Sequence, residues 1–404
     1  MTKIAVVDLL FNWPPDGGAR VDVKEVLTRL SKYHQVTLFV PDFPKGFPRG
    51  KIQGNFPFDI KKINFNIATF NFIEVTRKIK REITLYSPDF LLITDDWFLK
   101  PYIVNALKEF NPILRIYAYE NLCLLSYGIK FIDGKSCDFW YLKNPFKCTM
   151  CAMKWLLKTR ARHLSFLHLT SLSFSPTYYM AVKNSLSNAS KIIVYNKKIK
   201  EFIDEYNQNC IIIPSGVDTS FFIPSDNHAK GGKKPVYFFS PGRLNNPIKG
   251  ASFLLQACDR LWEKRKDFKL LLTTDAVSNR DYIITANWEN HDSLPAIYNN
   301  SDICIVPSLW EEPFGIVAVE AMSCGKPVIA SGVGGLKDIV EDGKTGFTVL
   351  PGDINALAEK IELLMNNPEL RVQMGKEGRK KAQEKYCWDV IVEKYYKPLF
   401  ESKP

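Results

Sequence analysis

The sequence predicts an α/β protein with parallel, doubly wound sheets in two domains. Short β-rich apolar runs alternate with segments of helical spacing along the whole chain, the order that builds parallel sheets covered by helices. At 404 residues the chain exceeds one ordinary hydrophobic core. Residues 303–331 read as a complete βαβ unit. Strand ICIV leads into a Pro- and Glu-rich loop, and a short apolar helix runs from Gly315. Gly325 ends that helix, Pro327 blocks its extension, and VIA is the next strand. Ligands of open α/β sheets gather at the carboxyl ends of such strands, where free helix N–H groups attract anions.

In chain order, residues 3–10 (KIAVVDLL) make a first buried strand. A loop follows through Gly17 and Gly18, and 21–33 carry helical spacing through Val23, Val26, Leu27 and Leu30. Two glycines let a backbone approach another group closely, and a plain tight turn uses the same pair. Strands are expected at 36–40, 90–94, 113–119, 191–195 and 210–213. A Pro- and Phe-rich loop precedes a polar helix around 72–86. The Gly/Lys-rich run 226–235 reads as linker. Strands at 236–240, 270–274 and 301–306, helices near 251–264 and 354–365, and a final aromatic helix at 388–400 complete the pattern.

Apolar content of 46% and charged content of 24% are those of a globular domain. No apolar run is long enough to span a bilayer. The N-terminal stretch lacks a basic region followed by a cleavage site, so no signal peptide is expected and the expected location is the cytoplasm. A net charge of +11 suits nucleic acid, an anionic membrane or acidic substrates. No nucleic-acid recognition motif stands out and the lysines read as scattered. A membrane surface or a phosphate-bearing substrate fits better.

Of nine cysteines, Cys210, Cys258, Cys304 and Cys324 lie singly in apolar settings and read as core. Cys123, Cys137, Cys148 and Cys151, the last two as C-T-M-C, match the ligand set of a closed tetrahedral zinc site. Unpaired thiols and a redox pair are the competing readings, although the βαβ start of a thioredoxin-like CxxC is missing. Residues 154–174 mix Lys154, Lys158, Arg160 and Arg162 with Trp155, Leu156, Leu157 and Phe166. Such a helix lies on an anionic membrane or packs on the core with a solvated basic face. Glu320 falls a turn into an apolar helix, where a buried carboxylate needs a partner. A nearby Lys or Arg supplies it on the plain reading.

PSLWEEPFGIVAVEAMSCGKPVIAS, with seven residues between Glu312 and Glu320, resembles the donor-site signature of retaining GT-B glycosyltransferases of family 4. The Gly-Gly loop, IPSGVD, PGRL with a following KG, LPAIY with SDI, and GKTGF occur in the same order as in that family. The resemblance covers most of the chain and implies a GT-B fold, two Rossmann-like domains facing each other across a cleft. It implies an acceptor-side domain over 1–222 with a Cys-containing insertion near 120–155, a linker at 223–235, and a nucleotide-sugar domain over 236–386. A helix at 387–404 then packs back on the first domain.

The implied reaction is retaining transfer of a hexosyl group from a nucleotide diphosphate sugar to an acceptor hydroxyl, in surface glycan or polysaccharide assembly. By resemblance Arg243 and Lys249 take the diphosphate, Glu320 the ribose, and Glu312 with Phe314, Gly315 and Ile316 the sugar. Gly17 and Gly18 lie opposite the diphosphate. No cofactor is implied for catalysis; a structural zinc ion on the four cysteines is a separate expectation. A glycan or lipid-linked acceptor and peripheral membrane association are expected, and nucleic acid is not. A nucleotide-sugar epimerase, a sugar phosphorylase or a silent nucleotide-sugar binder shares these features in part. Relatives carry a His near Tyr119-Glu120, whereas none lies here between His34 and His163. Tyr119 or Glu120 either replaces it or merely ends the strand. The spacer from Asn245 to Ile248 is one residue longer than usual in the family, which bears on the reach of Lys249.

Overall fold

The computed structural model describes residues 1–15, 17–43, 51–96, 98–125, 130–132, 134–159, 162–225, 235–242, 246–273, 279–285 and 291–401. The chain divides into two compact units. Met1–Lys130, Cys137–Pro214 and Ile391–Pro404 make the first, Phe131–Ser136 and Ser215–Val390 the second.

The first unit begins with β1 (Lys3–Val7), α1 (Gly18–Leu30), β2 (Gln35–Asp42), β3 (Asp59–Asn64), α2 (Phe72–Tyr86), β4 (Phe90–Ile93), α3 (Lys100–Ala106) and β5 (Ile113–Arg115). A small antiparallel ribbon, β6 (Phe131–Ile132) with β7 (Lys135–Ser136), comes next. Then follow α4 (Pro145–Thr159), α5 (Arg162–Ser171), α6 (Pro176–Asn188), β8 (Lys191–Val194), α7 (Lys197–Ile203) and β9 (Cys210–Ile212). Among the described residues the sheet runs β3-β2-β1-β4-β5-β8-β9, parallel throughout. Ile4–Val7 and β4 are fully buried, as strands covered on both faces must be. Edge strand β3 (DIKKIN) buries only Ile63. Its polar composition is why that stretch reads as loop in the sequence.

One local feature differs from expectation. The basic run predicted as one helix over 154–174 is two, α4 and α5, and α4 already starts at Pro145. The C-T-M-C pair therefore sits about one turn apart on a helix. The final helix expected at 388–400 is present, as α14 (Trp388–Ile391), a wider turn over Val392–Tyr396 and α15 (Lys397–Glu401), after α13 (Pro368–Lys381). Its Tyr396 and Phe400 are buried in the first unit, with Phe400 edge-on to Phe90 at 5.5 Å.

The second unit holds β10 (Val236–Ser240), α8 (Ala251–Lys264), β11 (Phe268–Leu272), β12 (Ile283–Thr285), α9 (Leu294–Asn299), β13 (Ile303–Val306), α10 (Ile316–Ser323), β14 (Val328–Ser331), α11 (Leu336–Ile339), β15 (Gly346–Val349) and α12 (Ile354–Asn366). Its parallel sheet runs β12-β11-β10-β13-β14-β15. Phe238, Leu254, Leu261, Phe268, Ile303, Ile329 and Ile361 fill one face. β15 begins inside the GKTGF stretch. In each sheet the strand order reverses once, between β1 and β4 and between β10 and β13, and ligands of doubly wound sheets settle at such switch points. Among the described residues no helix is long and apolar enough to cross a membrane.

Candidate active site

At the β10/β13 switch point, Asn246 accepts the Ile248 N–H, shaping a single turn from Pro247 to Lys249. The Leu309 N–H donates 2.8 Å to the Ile248 carbonyl and holds this turn against the loop after β13. Lys249 Nζ thereby meets Glu312 Oε1 at 2.6 Å. The Ser308 hydroxyl donates 2.7 Å to the same oxygen, and the ammonium lies 5.5 Å from the Trp310 ring. Glu312 is 7% exposed. Burial alone would raise its carboxyl, but the Lys249 ammonium and the Ser308 and Trp310 donors hold it below the usual range. It is an anion at neutral pH, suited to accepting hydrogen bonds and not to giving a proton. Lys249 keeps 29% of its side chain exposed, so its ammonium can meet an anionic group.

The loop is cast against residues after β14. The Gly335 N–H donates 2.7 Å to the Glu312 carbonyl, and the Gly334 N–H donates 2.9 Å to the Glu311 carboxylate. Gly334 has φ +47°, and a Cβ there would collide with the Glu312 backbone, so this close approach requires glycine. Phe314 packs edge-on to Tyr386 at 5.7 Å. Gly315 precedes α10, which Ile316 opens. One turn on, Glu320 is 4% exposed and Tyr298 donates 2.8 Å to its Oε2. A phenol from α9 is therefore one partner of this carboxylate.

The structure thus brings Lys249 and Glu312 together, with Phe314, Gly315, Ile316 and Glu320 on the same loop and helix. Arg243 lies outside the described residues. Sequence reasoning missed Ser308, Tyr298 and the Gly334-Gly335 support. The glycine doublet after a strand was a readable turn signal; Ser308 and Tyr298 lie inside the PSLWEEP and LPAIY landmarks, whose presence does not say which carboxylate each would meet.

At the β1/β4 switch point of the first unit, Gly17 precedes α1 and a Cβ on it would meet open space. Asp8 is fully buried there, taking hydrogen bonds from Thr94 Oγ1 at 2.7 Å and the Leu10 N–H at 2.8 Å. Arg20 pairs with Asp95. Burial, and then the nearby Asp95 charge, push the Asp8 carboxyl up to about 6. Glu120 is 3% exposed and accepts from Lys100 Nζ at 3.1 Å, the Tyr117 N–H at 2.7 Å and the Ala118 N–H at 2.6 Å. Tyr119 is fully buried. Glu120 is thus tied to the backbone at the end of β5.

Burial and the neighbouring thiols of Cys148, Cys137 and Cys151 push the Cys123 thiol up to about 12, so the four cysteines share one neighbourhood. Lys130 is 1% exposed beside Trp140, and its Nζ makes no hydrogen bond. As the side chains stand, no three Cys, His, Asp or Glu among the described residues form a group that could hold a metal ion.

Parallel doubly wound sheets, with a cation–carboxylate pair at the switch point of the second, define an α/β protein with a candidate ligand site there. The family model "Glycosyl transferases group 1" matches residues 225–381. The chain is 31% identical over 339 residues to an uncharacterized glycosyltransferase of Methanocaldococcus jannaschii, covering 79% of this chain and 91% of that one. Several other curated relatives are matched over less than half of their own length. In fold the chain is similar to sucrose-phosphate synthase from Thermosynechococcus elongatus, with TM-score 0.70, 20% identity and 99% of each chain covered. It is also similar to Anabaena HepE solved with UDP and glucose, with TM-score 0.67, 17% identity and 100% of each covered. The fold is GT-B. The chain belongs to the group 1 glycosyltransferases.

Proposed function

We propose that the chain moves a hexosyl group from a nucleotide diphosphate sugar to a hydroxyl of a glycan or lipid-linked acceptor, with retention at the anomeric carbon. Surface glycan or polysaccharide assembly, at the cytoplasmic face of a membrane, is the setting that fits. The observation carrying the reading is the Lys249–Glu312 pair at the β10/β13 switch point.

Lys249, with Arg243, binds the diphosphate and stabilises it as charge develops on the leaving group. Glu312, kept ionised, accepts hydrogen bonds from the sugar hydroxyls and orients the ring. Glu320, held by Tyr298, takes the ribose. One Glu312 oxygen is already engaged by Lys249 and Ser308, which favours same-face attack over a carboxylate nucleophile. In that step the bond between the anomeric carbon and the diphosphate oxygen breaks as the bond to the acceptor oxygen forms. The acceptor's proton passes to the departing diphosphate.

The test is a panel of UDP-, GDP-, ADP- and dTDP-sugars scored for slow donor hydrolysis and for the anomeric configuration of any product. The fold neighbour holding UDP and glucose puts UDP-glucose first. One donor should be cleaved, and Glu312→Gln should suppress it. No cleavage of any donor, or an epimerised donor as the product, overturns the proposal.

A further inference from the structure

We infer that α4 is a lipid-facing helix that docks the first unit on an anionic bilayer. Phe146, Met150, Met153 and Leu157 recur at i, i+4, i+7 and i+11, one stripe of an α-helix. Instead of facing the core they are 80%, 39%, 42% and 78% exposed, and Ala152 is the sole buried residue of α4. Lys147, Lys154 and Lys158, at i, i+7 and i+11, form a second row beside this stripe. Lys147 lies 3.5 Å over the ring of Phe139, itself 38% exposed, which widens the apolar surface. An apolar stripe edged by lysines is the pattern of a helix lying in a headgroup layer.

Charge chooses the occupant. No Asp or Glu occurs between Asp138 and Glu201, while eleven Lys and Arg do. Chain-wide there are 54 Lys and Arg against 43 Asp and Glu, so the whole surplus of +11 resides in this segment. The basic residues are scattered along the chain, but in this segment the acids that balance them elsewhere drop out. A second copy docking through the same stripe would set lysine row near lysine row with no acid in the segment to answer them. An anionic leaflet answers all of them and accepts the apolar side chains as well. The inference rests on the proposed transfer only for what it says of the acceptor, which would be presented at that surface; lipid binding itself needs no turnover.

The experiment is co-sedimentation of the full chain with phosphatidylcholine vesicles and with phosphatidylcholine–phosphatidylglycerol vesicles, at low and high salt. The wild type should bind the mixed vesicles at low salt, bind the neutral ones weakly, and lose affinity as salt rises. Lys147→Glu/Lys154→Glu/Lys158→Glu should reduce partitioning roughly a hundredfold or more. Phe146→Ser/Leu157→Ser should reduce it at least about tenfold. Donor hydrolysis without vesicles should be unchanged in both variants, reporting that they fold. Equal binding to both lipids, or binding untouched by both variants, overturns the inference. So does a wild-type dimer in sedimentation equilibrium that the serine variant converts to monomer, since the stripe then covers a second copy. Absent donor hydrolysis with intact vesicle binding would sink the enzymatic proposal and leave the lipid-facing helix standing.

Discussion

Lys249 and Glu312, separated by 63 residues in sequence, close a 2.6 Å ion pair at the reversal point of the second sheet. The pair joins the turn after β10 to the loop after β13, two strands that are neighbours only because of the sheet order. It also decides the protonation of a nearly buried carboxylate, because the adjacent ammonium outweighs the cost of desolvation.

Lys249→Met should weaken nucleotide diphosphate binding by about 1.5–3 kcal/mol, the scale of a charge-assisted contact. It should also raise the Glu312 carboxyl, so that turnover gains a pH dependence on the acid side. Glu312→Gln keeps an oxygen for Lys249 and Ser308 and should lower turnover with little loss of diphosphate affinity. Calorimetry showing undiminished diphosphate binding after loss of Lys249 would refute the site.

Gly334→Ala should cost about 2 kcal/mol or more, because backbone strain at positive φ adds to the collision with Glu312. Gly343 is the control: its φ is +74° but a Cβ there meets nothing within 4 Å. Gly343→Ala should cost only about 1 kcal/mol of strain. Urea melts and turnover of the two variants check this. Equal losses of stability, with normal turnover in both, would mean the Gly334 loop does not set the Glu312 loop.

Asp8 should make stability pH-dependent. Its folded value of about 6 lies above its ordinary 3.8, so the native state holds a proton that the unfolded chain releases. The contribution is fully present below about pH 4, is lost as pH rises through about 6, and is flat above that. Between about pH 4 and pH 7 the wild type should lose on the order of 1–3 kcal/mol through this group. Asp8→Asn can still accept from the Leu10 N–H and should remove most of that slope. Denaturation midpoints that fall identically with pH in both proteins would rule Asp8 out.

For the cysteines, we propose one structural zinc ion held by Cys123, Cys137, Cys148 and Cys151. The shared neighbourhood of the thiols and the buried Lys130 ammonium, which has ring contacts but no hydrogen bond, support it, since a four-thiolate zinc carries two net negative charges. Protein purified without added zinc should contain about one equivalent, and chelation should lower its melting temperature. Metal-free protein with an unchanged melting temperature would eliminate the ion.

The sequence by itself determined the alternation of strands and helices, because residues buried on one or two faces leave a period that composition displays directly. It also determined that Glu312 belongs to a loop and Glu320 to the helix after it, since their spacing is local. Polar edge strand β3 escaped because one buried residue, Ile63, makes no pattern. Only the tertiary structure decided which side chains meet. The ammonium on Glu312, the Tyr298 phenol on Glu320 and the glycines under the Glu312 loop come from segments whose proximity follows from strand order and register. Neither is written in any one stretch of sequence. The same holds for α4, where periodicity shows that Phe146, Met150, Met153 and Leu157 share a face. Only packing reveals that this face points away from the core, because a hydrophobic stripe looks the same in sequence whether protein or lipid covers it.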